Sequence, residues 1–384
     1  MPVTAAAVVV GAGVTGLSIA YHLARRGVGR VVVLERERIA SGATGKSVGG
    51  IRQQFSDELN IRLARHSAAV FERFRDEFGV DCDFRQHGYL MLATTPEEQA
   101  LFERNVRLQR SLGVPVELLG PAEAGRMVPG LRTDDVLVAT FCPRDGYADP
   151  YAVAMGYAGA ARRLGVQILE GAEVVGIPVR AGRARGVVTA MRTIEAEVVV
   201  NAAGAWAAQV AALAGVALPI EAYRRQVFVT GPTDVLPERL PLVIDFRTHF
   251  YFRREGAGVL VGMTDPHEPP GFQTHVDWSF AERVLTQALH RIPPLANAAV
   301  LRGWAGLYDT TPDGNPILGP LPQVENLFVA AGFSGHGFMQ SPAVGEAIAD
   351  LIVAGRPSTP DLDVAPFGVA RFATGALRRE TNVI

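Results

Sequence analysis

Cysteine is nearly missing from this chain: among 384 residues there are two, Cys82 and Cys142. Two thiolates cannot build a metal cluster, and an iron–sulfur site needs more of them. No metal site is therefore expected, and both thiols read as buried groups in a reducing cytoplasm. An excess of either charge is also missing. The formal net charge is -2 with acids and bases interspersed, which gives no basis for a nucleic-acid or membrane-surface partner. No apolar run reaches about 20 uninterrupted residues, the length a membrane span requires. The apolar start lacks a basic flank and is broken by glycines, so no secretory leader is expected. Repeats and low-complexity linkers are absent too. What remains is a chain that is 48% hydrophobic, ample for the core of one large domain or two.

The most informative stretch is the first. An apolar run to Val10 meets Gly11-Ala12-Gly13-Val14-Thr15-Gly16, and apolar residues at helical spacing follow as far as Gly27. This pattern holds a dinucleotide pyrophosphate: Gly11 allows the tight turn, Gly13 the close approach of backbone to phosphate, and Gly16 the packing of helix on strand. The helix start presents amides and the positive end of its dipole to the anion. A second strand, Val31-Val32-Val33-Leu34, ends at Glu35, about twenty residues beyond the glycines, where an acid accepts hydrogen bonds from ribose hydroxyls.

Further on, Ile39 to Phe55 is dense in small residues, which suits a loop against a ligand. Apolar residues from Leu59 to Phe74 predict an amphipathic surface helix over 56–78. Gly88–Ala93 reads as a strand, Pro96–Leu112 and Pro121–Met127 as helices, and Tyr151–Leu164 as an alanine-rich helix. The strand Glu197–Val200 runs into Asn201-Ala202-Ala203-Gly204-Ala205-Trp206, which repeats the opening logic. From Ile220 to Val261 short alternating strands predict an antiparallel sheet. The chain then returns through Asn326–Gly332, a strand, and Phe333-Ser334-Gly335-His336-Gly337-Phe338, a glycine-rich turn, to a helix expected from Pro342 to Val353. The predicted fold is α/β: a discontinuous Rossmann-like cofactor domain (1–85, 141–220 and 300–384) with an α+β antiparallel-sheet substrate domain (86–140 and 221–299).

Taken in order, the glycine fingerprint with Glu35-Arg36, the run Ser47-Val48-Gly49-Gly50-Ile51-Arg52, the Asn201–Trp206 stretch and the Gly332–Phe338 turn resemble the FAD-dependent D-amino-acid oxidase superfamily. Within it the chain looks like the branch of sarcosine oxidase, glycine oxidase and the FAD subunit of archaeal L-proline dehydrogenase. The resemblance implies FAD, held by Gly11, Gly13, Val14, Thr15, Gly16, Glu35, Arg36, Ala43, Thr44, Gly45, Ser47, Gly49, Gly50, Val174, Ala203, Gly204, Trp206, Gly306, Gly332, Gly335, His336, Gly337, Phe338 and Met339. It implies that the last turn aims amides and a helix start at the flavin, to steady charge there. It assigns the substrate carboxylate to Arg52, whose guanidinium fork suits it. Tyr251 and Tyr308 match aromatic positions of the pocket or are core aromatics, and His336 touches flavin or substrate or packs beneath the ring.

Four departures from sarcosine oxidase modify that expectation. The cysteine that attaches FAD there falls at Gly306, and the attachment histidine of other relatives has no counterpart near Thr44–Lys46, so noncovalent FAD is expected. A lysine credited with activating oxygen falls at Leu260, which favours a dehydrogenase over an oxidase. A carboxylate-binding lysine falls at Met339, and a pocket histidine at Thr264, leaving room for a bulkier amine such as proline. The expected reaction is oxidation of an amino acid at the carbon beside its nitrogen, giving an imine. Two alternatives stay open: oxidation of a 2-hydroxy acid with His249 or His336 as base, and an FAD-retaining assembly or binding subunit. The expected partners are a small carboxylate-bearing substrate and a homo- or hetero-oligomer.

Overall fold

The computed structural model describes residues 3–383. Its organising element is β1 (Val3–Val10), whose Ala7, Val8 and Val9 are fully buried. A strand apolar on both faces belongs in the middle of a parallel sheet covered on both sides. Around it, Gln167–Leu169, β2 (Val31–Leu34), β1, Thr193–Asn201 and Leu327–Ala331 lie side by side in parallel, and Ile317–Pro320 adds an antiparallel edge. Three distant parts of the chain thus meet in one sheet, as the sequence predicts. Met1, Pro2 and Ile384, which the expected boundaries include, lie outside the described residues.

The glycine turn leads directly into α1 (Val14–Arg25). Leu17, Ile19 and Leu23 are fully buried on one face of the sheet, each worth roughly 1.5–3 kcal/mol of apolar burial. The helix Gly337–Ala354 packs on α1, and a Cβ at Gly345 would sit 2.0 Å from Ser18 Oγ. This second helix starts at Gly337, five residues before the expected start at Pro342. Proline lacks the N–H that the fourth preceding carbonyl needs. Here the Ser341 hydroxyl donates to that carbonyl, Phe338 O, at 2.8 Å, and the helix runs through.

The predicted helix over 56–78 is two. α3 (Glu58–Glu72), capped by Asp57, breaks at Arg73, and a short helix Phe74–Phe78 follows. It is also less superficial than expected: eight of its residues are buried, and it packs against Gly337–Ala354. The glycine-dense loop contains one helical turn, α2 (Ala43–Lys46), and β3 (Gly50–Ile51), which pairs with Gly146–Tyr147.

A second eight-stranded sheet runs in the order Val300–Thr310, Glu221–Thr230, Gly258–Met263, Phe250–Glu255, Leu242–Asp245, Tyr89–Ala93, Val138–Cys142, Glu117–Leu119. It is antiparallel except where Leu242–Asp245 runs parallel to Tyr89–Ala93. Residues 300–310 belong to this sheet, paired along Glu221–Thr230, and the return to the first sheet begins at Ile317. The sheet likewise takes all of Val138–Cys142. Both boundaries therefore run later than the sequence suggests, because extended stretches of similar composition do not reveal which sheet they join.

Candidate active site

A cavity of about 830 Å³ opens at the carboxyl ends of the parallel strands and continues under the second sheet, where open α/β sheets place their ligands. At one end stands the glycine turn. A Cβ on Gly16 would lie 2.1 Å from Gly11 O, so the third glycine is required by packing. Gly13 caps α1 without a side chain, and Val14 N donates to Thr44 Oγ1 at 3.0 Å, which ties α2 to the helix start. Glu35 follows β2, with Oε2 accepting from Ala12 N and Oε1 from Glu37 N, both at 2.9 Å. Arg36 stacks over Trp206, 3.7 Å from the ring centroid, and Trp206 stacks in turn on Phe272. The phosphate-facing turn, the acid and an aromatic shelf form one continuous cradle, whose chemistry fits a dinucleotide.

On the far wall lies the turn from the other end of the chain. Phe333, Ser334, Gly335 and His336 all line the same cavity as Gly11. Ser334 takes a left-handed φ of 50°, and Gly335 is pressed beneath Tyr308, with space for no Cβ. His336 is the N-cap of Gly337–Ala354, its ring edge-on to Phe55 and its Nε2 buried without a partner. Burial pushes its pKa down to about 3, so the imidazole is neutral. The amides of Gly332 and Ser334 in this turn are taken up within the protein. Asp309 accepts the N–H of Gly332 at 2.6 Å and the backbone of Ser334 donates to Asp309 O. Burial raises the Asp309 carboxyl to about 6 against the pull of the Gly332 and Phe333 amides.

At the second sheet, Tyr251 and Tyr308 line the cavity with Arg52, Arg225, Tyr89 and Leu242. Burial raises the hydroxyl pKa of Tyr251, Tyr308 and Tyr89, keeping them neutral donors. Arg52 is buried over Phe55, with its Cζ 4.2 Å from the ring centroid. It donates to Gln54 O at 2.5 Å and to Asn382 O at 2.7 Å. A planar fork has five donors, so this leaves N–H groups over for a ligand.

Of the residues expected to hold the cofactor, Gly16, Gly45, Gly49 and Gly332 do not line the cavity; they pack behind its wall. The others do: Gly11, Gly13, Val14, Thr15, Glu35, Arg36, Ala43, Thr44, Ser47, Gly50, Val174, Ala203, Gly204, Trp206, Gly306, Gly335, His336, Gly337, Phe338 and Met339. Leu260 is buried beside Val227 and Val229, outside the cavity. His249 lies outside it as well. Sequence reasoning missed Arg225, Asp309, Lys46 and Val383, all of which line it. Strand alternation in Glu221–Thr230 carries a signal for Arg225; nothing local marks Val383.

The comparisons agree with this geometry. A bovine (Bos taurus) protein named FAD-dependent oxidoreductase domain-containing protein 1 is 35% identical, covering 98% of this chain and 86% of that protein. Mouse (Mus musculus) mitochondrial sarcosine dehydrogenase is 31% identical over 97% of this chain, which spans 42% of that longer protein. Among solved structures, L-proline dehydrogenase from P. horikoshii superposes with a TM-score of 0.92 at 38% identity, covering 98% of this chain and 100% of that one. The family model described as FAD dependent oxidoreductase (DAO) matches residues 6–351. The chain therefore belongs to the DAO family of FAD-dependent oxidoreductases.

Proposed function

We propose that this enzyme oxidises the bond between the nitrogen and the adjacent carbon of an amino acid or N-substituted amino acid. The substrate loses a hydride from that carbon and a proton from nitrogen, becoming an imine that water hydrolyses. Bound FAD supplies the two-electron acceptor. The observation that carries this reading is the single cavity shared by the dinucleotide turn, the Phe333–His336 turn and a carboxylate-sized polar end at Arg52, Tyr251 and Tyr308. The mouse sarcosine dehydrogenase and the P. horikoshii L-proline dehydrogenase, by name, support an amine substrate.

In this reading Arg52 holds the carboxylate by charge-assisted hydrogen bonds, and the neutral tyrosines order the amine end. The N-terminus of the 18-residue helix Gly337–Ala354 provides a positive dipole end near His336. A neutral, unpartnered His336 supplies a hydrogen-bonding group without adding charge. FAD is held noncovalently, with Gly306 packed against Lys46 and carrying no thiol. Two unpaired buried cysteines favour a reducing compartment, the cytoplasm. No helix among the described residues is long and apolar enough to cross a membrane.

Anaerobic mixing with proline, sarcosine, D-amino acids and 2-hydroxyglutarate tests the reaction. Bleaching of the flavin band by an amine supports it. Bleaching by the hydroxy acid alone overturns it, as does no bleaching by any amine.

A further inference from the structure

Strand alternation separates two neighbouring arginines. Arg224 is held by Glu268 through Nε and Nη2, at 3.1 and 3.0 Å. Arg225 lines the cavity instead, with its Cζ 5.1 Å from the centroid of Tyr308. Its hydrogen bond is a single one, from Nη1 to Arg224 O at 3.0 Å, and its Nε is buried with no partner. Among the described residues no carboxylate pairs with it. The Asp309 carboxylate, which also lines the cavity, is turned to the amide of Gly332. Arg225 is only partly buried, but its Nε is shut off from water, and a donor left unspent there is costly until an acceptor meets it. Arg52 is a second guanidinium at this end, also without a carboxylate partner, and both act on Tyr308. One monocarboxylate substrate leaves one of the two uncompensated.

We propose that Arg225 is a second anion anchor, and that the preferred substrate is an amino acid carrying two acidic groups, the second on its side chain or on its nitrogen. This rests on the amino-acid reading above and narrows it. Arg52 takes one carboxylate and Arg225 the other, and the second carboxylate takes no part in bond-making.

The test is equilibrium binding to the purified holoenzyme, which needs no turnover. Malonate, succinate and glutarate are compared with acetate, propionate and butyrate by calorimetry and by perturbation of the flavin absorbance. The dicarboxylates are expected to bind about 10–100-fold more tightly, the worth of one hydrogen-bonded charge. Arg225→Gln is expected to collapse that preference to near unity, and Arg225→Lys to keep part of it. Equal binding of the two series by the wild type overturns the proposal. So does a preference that survives Arg225→Gln, or absence of binding by either series. Should Arg225→Gln shed its flavin, Arg225→Lys on the same panel decides, with an undiminished preference counting against the anchor. Anaerobic bleaching separates the two readings: a dicarboxylate preference without bleaching by any amine sinks the reaction and leaves the anchor standing.

Discussion

Asp309 shows how a single side chain both builds and burdens this site. Its carboxylate holds the turn by accepting from Gly332 N, yet burial raises its pKa to about 6. An acid raised in the folded state keeps a proton that the unfolded chain, near its ordinary value of about 4, has already released. Stability therefore falls as pH rises from about 4 to 6, and the full cost is present above that window. Asp145, also raised to about 6 by burial, adds in the same direction. Asp309→Asn keeps an acceptor for the turn and removes the charge. Relative to wild type it is expected to gain on the order of 2 kcal/mol of stability between pH 4 and pH 7, read from urea midpoints of the holoprotein; an unchanged difference across that range refutes the argument. Arg52 carries a second prediction. Arg52→Lys cannot donate to two carbonyls, stack on Phe55 and still fork onto a carboxylate. A loss of about 10–100-fold in kcat/KM is expected, mostly in KM, with flavin content retained. The turns that line the cavity were legible in the sequence because glycine turns impose local rules. Arg225 and Asp309 were not, because their significance depends on which charges fold up beside them.

At the scale of elements, the joint between α1 and Gly337–Ala354 ties the two ends of the cradle together. The two helices touch where Gly345 meets Ser18. With no room for a methyl group, Gly345→Ala must push the helices apart, at a cost of about 1–3 kcal/mol. Because each helix starts at one of the two turns that line the cavity, the variant is expected to lose FAD more readily on dilution as well as melting earlier. Melting earlier with unchanged FAD affinity would show that the joint supports the fold alone. Element types were legible wherever periodicity spanned a whole segment, as in β1 and Pro150–Arg163. They were misread where a local breaker is overruled by a neighbour, as Ser341 overrules Pro342. The split of α3 from Phe74–Phe78 had no signal, since Arg73 is an ordinary helix former.

At the scale of the molecule, the segment 378–383 closes the Arg52 end of the cavity, and composition alone gave no hint of it. The Glu380 carboxylate accepts from Ser56 N, Ser56 Oγ, Asp57 N and Asn60 Nδ2. It thereby docks at the N-terminus of α3, where the helix dipole favours a negative charge. Arg378 reaches Asp57 at 2.8 Å, and Asn382 accepts from Arg52 and donates to Gln54 O at 3.0 Å. Val383 then stands in the cavity wall. Such long-range polar docking cannot be read locally, because Ser56 lies 324 residues from Glu380 and Arg52 lies 330 from Asn382. Its consequence can be tested. Removing the hub of this network with Glu380→Ala forfeits several hydrogen bonds to one charge, each worth about 1.5–3 kcal/mol when intact. The segment is expected to become a site of rapid proteolytic clipping, and iodide to quench the bound flavin more strongly. Because Arg52 also loses its anchor at Asn382 O, KM for the amine should rise more than kcat falls. Protection and quenching identical to wild type would mean that Arg378 and Asn382 hold the wall without Glu380. A variant with altered quenching but unchanged KM would show that the wall excludes solvent without aligning Arg52.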